Sequence, residues 1–386
     1  MSVDSDSGSP ENGTPVDDKD LDYLRLALDL AAQGRFGVAP NPMVGAVIVK
    51  DGEVVGQGFH RRPGEPHAEV EAFRDAGDAA RGATLYVTLE PCNHHGRTPP
   101  CSEAVVKAGI RRVVACHQDP NPQVAGTGFD RLRQAGIEVH QGFLQRQAVA
   151  LNWRFLTSFI HGRPAVTLKW AMSLDGKIAT VDDESQWISG PEGREWGLEL
   201  REDHDAILVG SGTALADDPR LNRRQNKAFG PNTRVVMDRR LRLGPEARLF
   251  DVPGPILVYA LPDVNPERKQ RLGNRGATVV ELSSVAPRSV ADDLHQRGIQ
   301  SLLVEGGAEI HGAFLASRLF DRVAVCCAPK LIGGATAPGP TAGEGIGALA
   351  EVPQLESLEA ETRGGDVILT GFEVTCLQAL CESLDG

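Results

Sequence analysis

The chain has 386 residues, 41% hydrophobic and 24% charged, with 40 Lys and Arg against 52 Asp and Glu and a net charge of −12. Such a composition describes a globular protein of two or three domains, each large enough to bury a core. It leaves no run of about 20 apolar residues for a transmembrane helix and argues against a basic nucleic-acid face.

In chain order, residues 1–18 are acidic and polar and read as a disordered tail. They lack the basic and apolar regions of a signal peptide, so a reducing cytoplasm is expected. There the seven cysteines mean metal or catalysis more often than disulfides. LDYLRLALDLAAQG has helical spacing and stops at Gly34. MVGAVIVKDG and EVVGQGFH form a hairpin around a D-G turn. HAEVEAFRDAG is a helix, TLYVTLE a strand, CSEAVVKAGI a helix, RRVVACH a strand, and GFDRLRQAGIEVH a helix followed by a strand. The stretch FLQRQAVALNWRFLTSFI is a helix ended by Gly162 and Pro164. The second half alternates apolar strands (AVTLKWAMS, AILVG, TRVVMD, PILVYA, TVVEL, SLLVE, RVAVCCA, DVILTGFEV) with Gly- and Pro-marked junctions. Two α/β layer domains follow, over 19–162 and 163–386.

The sharpest chemical signal is His67-Ala68-Glu69, followed by Pro91-Cys92 and Cys101. Cys101 opens a helix, where the dipole and free N–H groups favour a thiolate. One His and two Cys give three zinc ligands and leave a fourth position for water, whose pKa zinc brings toward 7. Glu69 stands where it can move that water's proton. The H-x-E and P-C pattern is that of zinc nucleobase deaminases, with a longer cysteine gap than the generic P-C-x-x-C. A closed structural site with His94 or His95 as fourth ligand, or two core cysteines, are the competing readings.

HAEVEA and PCNHHGRTPPC, with APNPMVGAVIV and GFHRRPGEPHAE upstream, closely resemble the deaminase half of the bifunctional riboflavin-biosynthesis deaminase-reductases. The resemblance implies a cytidine-deaminase-like domain with one zinc on His67, Cys92 and Cys101 and with Glu69 as proton shuttle. Asn41 occupies the matching P-N-P turn, where its amide can meet a substrate base or ribose, or simply form the turn. Asn93 departs from the Ser or Cys expected after the first cysteine and removes no ligand.

In the second half, Gly210-Ser211-Gly212-Thr213 and Glu305-Gly306-Gly307 each follow an apolar strand and precede a helix. Such turns let backbone N–H groups approach a phosphate, yet Leu215 breaks a G-x-G-x-x-G fingerprint, and many such turns are only tight corners. KWAMSLDGKIAT, ESQWISG, GSGTALADDPRLNRR, LLVEGGAEIHGAFL and APKLIGG resemble the reductase half of the same family. That implies a dihydrofolate-reductase-like α/β domain using NADPH. The dinucleotide would meet Met172, Trp187, Thr213, Asp217 and the turn Gly307, Ala308, Glu309, Ile310, His311, Gly312 and Ala313. The phosphorylated substrate would meet Ser185, Arg201, Leu221, Arg224 and Glu305. Arg201 and Arg224 can fork onto a phosphate, and Glu305 can accept from amines or hydroxyls. Lys169 and Asp175 flank the hydride-transfer region. TRVVMD runs into Arg239-Arg240, where the family more often has Asp-Ser; Arg239 either favours the extra phosphate of NADPH or is an exposed charge.

The resemblance therefore implies hydrolytic deamination of a diamino-phosphoribosylamino-pyrimidinone, followed by NADPH-dependent reduction of its ribosyl chain to ribityl. The small-molecule substrate would be the main partner of a cytoplasmic homo-oligomer, without nucleic acid or membrane. A tRNA-type zinc deaminase with an accessory domain and a non-enzymatic module with a structural zinc are the alternatives. Net charge and the second motif set oppose the former, and Glu69 opposes the latter.

Overall fold

The computed structural model describes residues 15–94, 99–121, 125–225, 227–228 and 230–385. His95 and most of the expected N-terminal tail lie outside them. Contacts divide the chain into Met1–His161 with Leu377–Gly386, and Gly162–Cys376. Leu377–Gly386 thus group with the first unit, whereas the sequence reading assigned them to the second half. Order also starts earlier than expected: Asp17 and Asp20 form a reciprocal capping box at the start of the first helix. Among the described residues no helix is long and apolar enough to cross a membrane.

The first unit contains α1 (Asp18–Ala32), β1 (Gly45–Lys50), β2 (Glu53–Phe59), α2 (Ala68–Ala76), β3 (Thr84–Val87), α3 (Cys101–Ala108), β4 (Arg112–Ala115), α4 (Thr127–Gln134), β5 (Glu138–His140) and α5 (Gln145–His161). Its five-stranded sheet runs β2-β1-β3-β4-β5. The D-G hairpin pairs β1 with β2 antiparallel, β1 meets β3 antiparallel, and β3, β4 and β5 are parallel. Successive residues of each strand point to opposite faces. Ala46, Ile48, Leu85, Val87, Val113 and Ala115 pack on one face with Ala68, Ala72, Val105, Phe129 and Leu132 of α2, α3 and α4. Val47, Val49, Tyr86 and Val114 pack on the other with Leu24 and Ala27 of α1 and Ala148 of α5. Two glycines set the position of α2: a Cβ at Gly56 would lie 2.4 Å from Ala72 O, and one at Gly58 2.6 Å from Ala68 O. Without side chains there, α2 lies directly on β2 and its first turn is fixed at the strand ends.

The second unit contains β6 (Ala165–Ser173), α6 (Pro191–Glu202), β7 (Ala206–Gly210), α7 (Ser211–Asp217), β8 (Thr233–Met237), β9 (Ile256–Ala260), α8 (Pro266–Asn274), β10 (Ala277–Glu281), α9 (Pro287–Gln296), β11 (Ser301–Gly306), α10 (Ala308–Ala316), β12 (Arg322–Ala328), β13 (Leu355–Arg363) and β14 (Asp366–Glu373). A last helix, α11 (Cys376–Asp385), ends the chain. The sheet order is β10-β9-β8-β7-β11-β6-β12-β14-β13. The first seven in that order are parallel and β14 and β13 are antiparallel. β7 continues through α7 to β8 on one side, while its neighbour β11 continues through α10 to β12 on the other. The chain therefore leaves two adjacent strand ends in opposite directions, which opens a crevice at their carboxyl ends.

Several elements escaped the sequence reading, among them α8 and α9, whose PERKQRLGN and PRSVADDLHQ read only as junctions between strands, and two near the end of the chain. β13 is exposed along most of its length, so no apolar alternation marks it. α11 follows TGFEV after only a short turn, and its apolar residues Leu377, Leu380 and Leu384 are buried.

Candidate active sites

The first site lies where the sheet of the first unit meets the starts of α2 and α3. His67 is the N-cap of α2, and Cys101 is the first residue of α3 after Pro100. Cys92 lies on the loop that leaves β3. Nδ1 of His67 and the two Sγ atoms all lie within 4.8 Å of one another. His67 Nδ1 is 3.7 Å from Cys92 Sγ and 3.3 Å from Cys101 Sγ. Tetrahedral zinc with bonds of about 2.3 Å to sulfur and about 2.0 Å to nitrogen places such atoms about 3.5 Å apart. The donor set and its spacing fit zinc. The expected triad is therefore brought together, and His94 does not join the cluster found among the described residues.

The local electrostatics suit a thiolate. The Cys101 backbone N–H, free at the helix start, donates to Cys92 Sγ at 3.4 Å. Hydrogen bonds from the Cys101 thiol and from His67 hold Cys92 down to about 4, against the effect of burial. The same sharing with Cys92 pushes the Cys101 thiol up. Glu69, in the first turn of α2, is 3% exposed. Burial, with the Cys92 charge adding, pushes its carboxyl up to about 7, and it hydrogen-bonds the Cys101 thiol. Asn41 Nδ2 is 3.0 Å from Nε2 of His60, whose Nδ1 faces Pro66 O at 3.1 Å. The His60 ring stands edge-on to His67, centroids 5.2 Å apart. Asn93 accepts from Ser102 Oγ at 2.7 Å, tying the Cys92 loop to the start of α3.

Sequence reasoning missed Glu90, two residues before Cys92. Its buried carboxylate accepts four backbone N–H groups, from Asp119, Gly126, Gly128 and Phe129, at 2.7–3.1 Å. It anchors the Cys92 loop to the start of α4. A Cβ on Gly128 would lie 2.1 Å from Pro91 O, so the approach needs that glycine. An acid closing an otherwise apolar strand, TLYVTLE, was the available signal.

The second site is the crevice of the nine-stranded sheet. The Gly210–Thr213 and Gly306–Ala308 turns stand at the neighbouring ends of β7 and β11. A Cβ on Gly307 (φ +84°) would lie 2.7 Å from Thr213 Oγ1, so the two turns face each other closely. Asp217 at the end of α7 accepts from Ser185 Oγ at 2.9 Å. Trp187 is 63% exposed, with the Arg194 guanidinium 4.8 Å above its ring. Met172 lies near the end of β6, half-buried. Along α10, Glu309 is exposed while Ala308, Ile310 and Ala313 are half-buried. Gly312 is buried, and a Cβ there would lie 1.8 Å from Ala342 O. His311 is buried with Nδ1 3.1 Å from Pro340 O and Nε2 3.2 Å from Val304 O.

The expected substrate residues behave differently from one another. Arg201 and Glu305 bond to each other: Nε–Oε1 is 2.8 Å and Nη2–Oε2 is 2.5 Å. Burial alone would raise Glu305, but Arg201 and Lys169 outweigh it and hold the carboxyl down to about 2. Leu221 is fully buried with φ +50°, its side chain in the core beside Val236 and Leu243. Only its backbone can face a ligand. Arg224 is exposed; burial, then the nearby charges of Arg201, Arg220 and Arg248, lower its pKa. Asp175 accepts from Ser173 Oγ and from the backbone N–H groups of Ile332 and Gly333, so both its oxygens shape a loop. Arg239 is exposed after β8, and its carbonyl accepts from Leu261 N.

Comparison with known proteins covers both halves. Residues 17–117 match the cytidine and deoxycytidylate deaminase zinc-binding region, and residues 164–369 match the RibD C-terminal domain. The chain is 43% identical over 353 residues to riboflavin biosynthesis protein RibD of Bacillus amyloliquefaciens, covering 91% of this chain and 95% of that one. A solved structure of Acinetobacter baumannii RibD has TM-score 0.83 and 38% identity, covering 92% of this chain and 99% of that one. A Thermotoga maritima structure, described as a diaminohydroxyphosphoribosylaminopyrimidine deaminase/5-amino-6-(5-phosphoribosylamino)uracil reductase, has TM-score 0.80 and 34% identity and covers 92% and 99%.

Proposed function

Because the chain belongs to the RibD family of riboflavin biosynthesis proteins and carries both a deaminase and a reductase domain, we propose that it performs two successive reactions on one phosphorylated pyrimidine. The first is hydrolytic deamination of 2,5-diamino-6-(5-phosphoribosylamino)pyrimidin-4-one. The second is NADPH-dependent reduction of the resulting 5-amino-6-(5-phosphoribosylamino)uracil to the ribitylamino compound. A nucleic-acid deaminase is not favoured, since the likeness to RibD extends over both halves.

The observation that carries this reading is the convergence of His67, Cys92 and Cys101 beside the buried Glu69. His67, Cys92 and Cys101 hold zinc, which when bound acidifies water and makes a nucleophile available at neutral pH. Glu69 takes a proton from the attacking water and returns it to the departing amine. Its lack of solvent keeps that proton within the site. Asn41, with Nδ2 turned to His60, offers its Oδ1 to the pyrimidine. In the second unit, the crevice between β7 and β11, with its two glycine turns, would hold the dinucleotide. NADPH when bound supplies hydride. Met172, Trp187, Thr213, Asp217 and the Gly307–Ala313 turn line its place. Ser185, the Leu221 backbone, Arg224 and the Arg201–Glu305 pair form the substrate side. Arg224, the more exposed of the two arginines, takes the phosphate, while Arg201 holds Glu305 ionised as an acceptor.

The test is Glu69→Gln. Ammonia release should fall about 10²–10⁴-fold, with zinc content unchanged and NADPH oxidation on pre-deaminated substrate retained. Normal ammonia release would remove Glu69 from the mechanism.

A further inference from the structure

The last two residues of α6 point to different tasks. Arg201 reaches Glu305 on β11. Glu202, only 2% exposed, turns instead to the backbone of Arg224, Gln225, Lys227 and Ala228. Its Oε1 accepts the backbone N–H groups of Arg224 at 3.0 Å and Gln225 at 2.9 Å. Its Oε2 accepts those of Lys227 at 3.1 Å and Ala228 at 3.0 Å. A charged acceptor makes each of these bonds stronger than a neutral one, and a buried carboxylate needs such partners in place of water.

The rest of the segment is fixed from the same place. Arg223 turns its guanidinium back to the carbonyls of Arg201, His204 and Gly230, satisfying the end of α6. Asn232 accepts from Arg223 N and donates to Leu221 O. Leu221 is seated in the core. Between these anchors, the Arg224 N–H is one of the four held by Glu202, so the origin of the Arg224 side chain is set by that carboxylate.

We infer that Glu202 is a positioning residue for substrate binding in the reductase half: through four backbone amides it holds the loop that presents Arg224 to the substrate's phosphate. This rests on the reading of Arg224 given above. Glu202 touches no reacting atom, and replacing it should alter how well the phosphorylated substrate is held far more than how fast hydride moves.

The experiment uses the full chain with 5-amino-6-(5-phosphoribosylamino)uracil and NADPH. Glu202→Gln replaces one acceptor oxygen by an amide that cannot accept, so two loop N–H groups lose their partner. Its reductase KM should rise about 10–100-fold while kcat stays within about threefold and the dissociation constant for NADPH, read by fluorescence, is unchanged. Arg224→Ala should show a similar rise. The double variant should be no worse than Arg224→Ala alone, because both act through one contact. A KM unchanged in Glu202→Gln when Arg224→Ala raises it overturns the inference, as do additive effects in the double variant. A normal KM in Arg224→Ala overturns the phosphate reading itself. Thermal unfolding and ammonia release check that the variant is folded. Should Glu202→Gln fail to fold, Glu202→Asp keeps the charge but is one methylene shorter, and goes through the same cycle with the same expected pattern and a smaller rise.

Discussion

Each half of the molecule holds its site with a buried carboxylate that accepts four backbone amides, Glu90 in the first unit and Glu202 in the second. What they hold differs. Glu90 stands two residues from Cys92, on the same loop, so the anchor and the reactive group share a short piece of chain. Glu202 stands 22 residues from Arg224, the group it holds, and the pocket it serves also draws on β6, α7, β11 and α10. The first site is a local motif on the starts of two helices. The second is a consequence of strand order. Local motifs tolerate change elsewhere in the sheet, whereas a pocket assembled from many elements fails with any one of them.

That contrast can be broken most severely at the metal cluster. Cys101→Ala removes one of the three proposed zinc ligands, and we expect loss of bound zinc and of ammonia release while NADPH oxidation on pre-deaminated substrate continues. Elemental analysis and the two assays on one preparation decide it. If reduction were lost as well, the first site would not be the self-contained motif described.

A smaller effect is expected at the Arg201–Glu305 pair. Arg201→Ala leaves a buried carboxylate without its partner, which costs about 3–5 kcal/mol. The variant should unfold at lower denaturant, and Glu305→Gln added to it should recover part of the loss. Unchanged unfolding, together with a KM rise that vanishes on dephosphorylated substrate, would return Arg201 to the phosphate.

Acid should act on the same pair. Glu305 is held down to about 2 from an ordinary 4.5, so the folded state binds its proton less readily than the unfolded chain. The stabilisation is therefore complete above about 4.5 and is lost as the pH falls through about 2. It amounts to about 3 kcal/mol. Denaturant unfolding from pH 6 to about 2 should show that loss, and Glu305→Gln should flatten it; an equal slope in both would place the acid sensitivity elsewhere.

The smallest effect is expected at the first anchor. Glu90→Gln leaves the ligands in place but loosens the loop behind Cys92, and should weaken zinc about 10–100-fold. Competition with a chelator measures this. An unchanged affinity would mean that α3 and the Asn93–Ser102 bond suffice to fix the loop.

The sequence by itself determined the grouping of His67, Cys92 and Cys101, the order of elements in the first half, the strands of the second, and the glycine turns of the crevice. His67, Cys92 and Cys101 sit at element starts marked by Pro and by the onset of apolar periodicity, and such marks are local. Only the tertiary structure decided that Arg201 meets Glu305, 104 residues away, that Leu221 turns its side chain into the core, and that Glu90 and Glu202 each hold a loop. It also decided that the last helix groups with the first unit. These depend on which strands become neighbours and which carboxylates are buried beside free amides. Periodicity and propensity fix the face an element buries, but a backbone N–H has no residue type, so its partner cannot be read from the sequence.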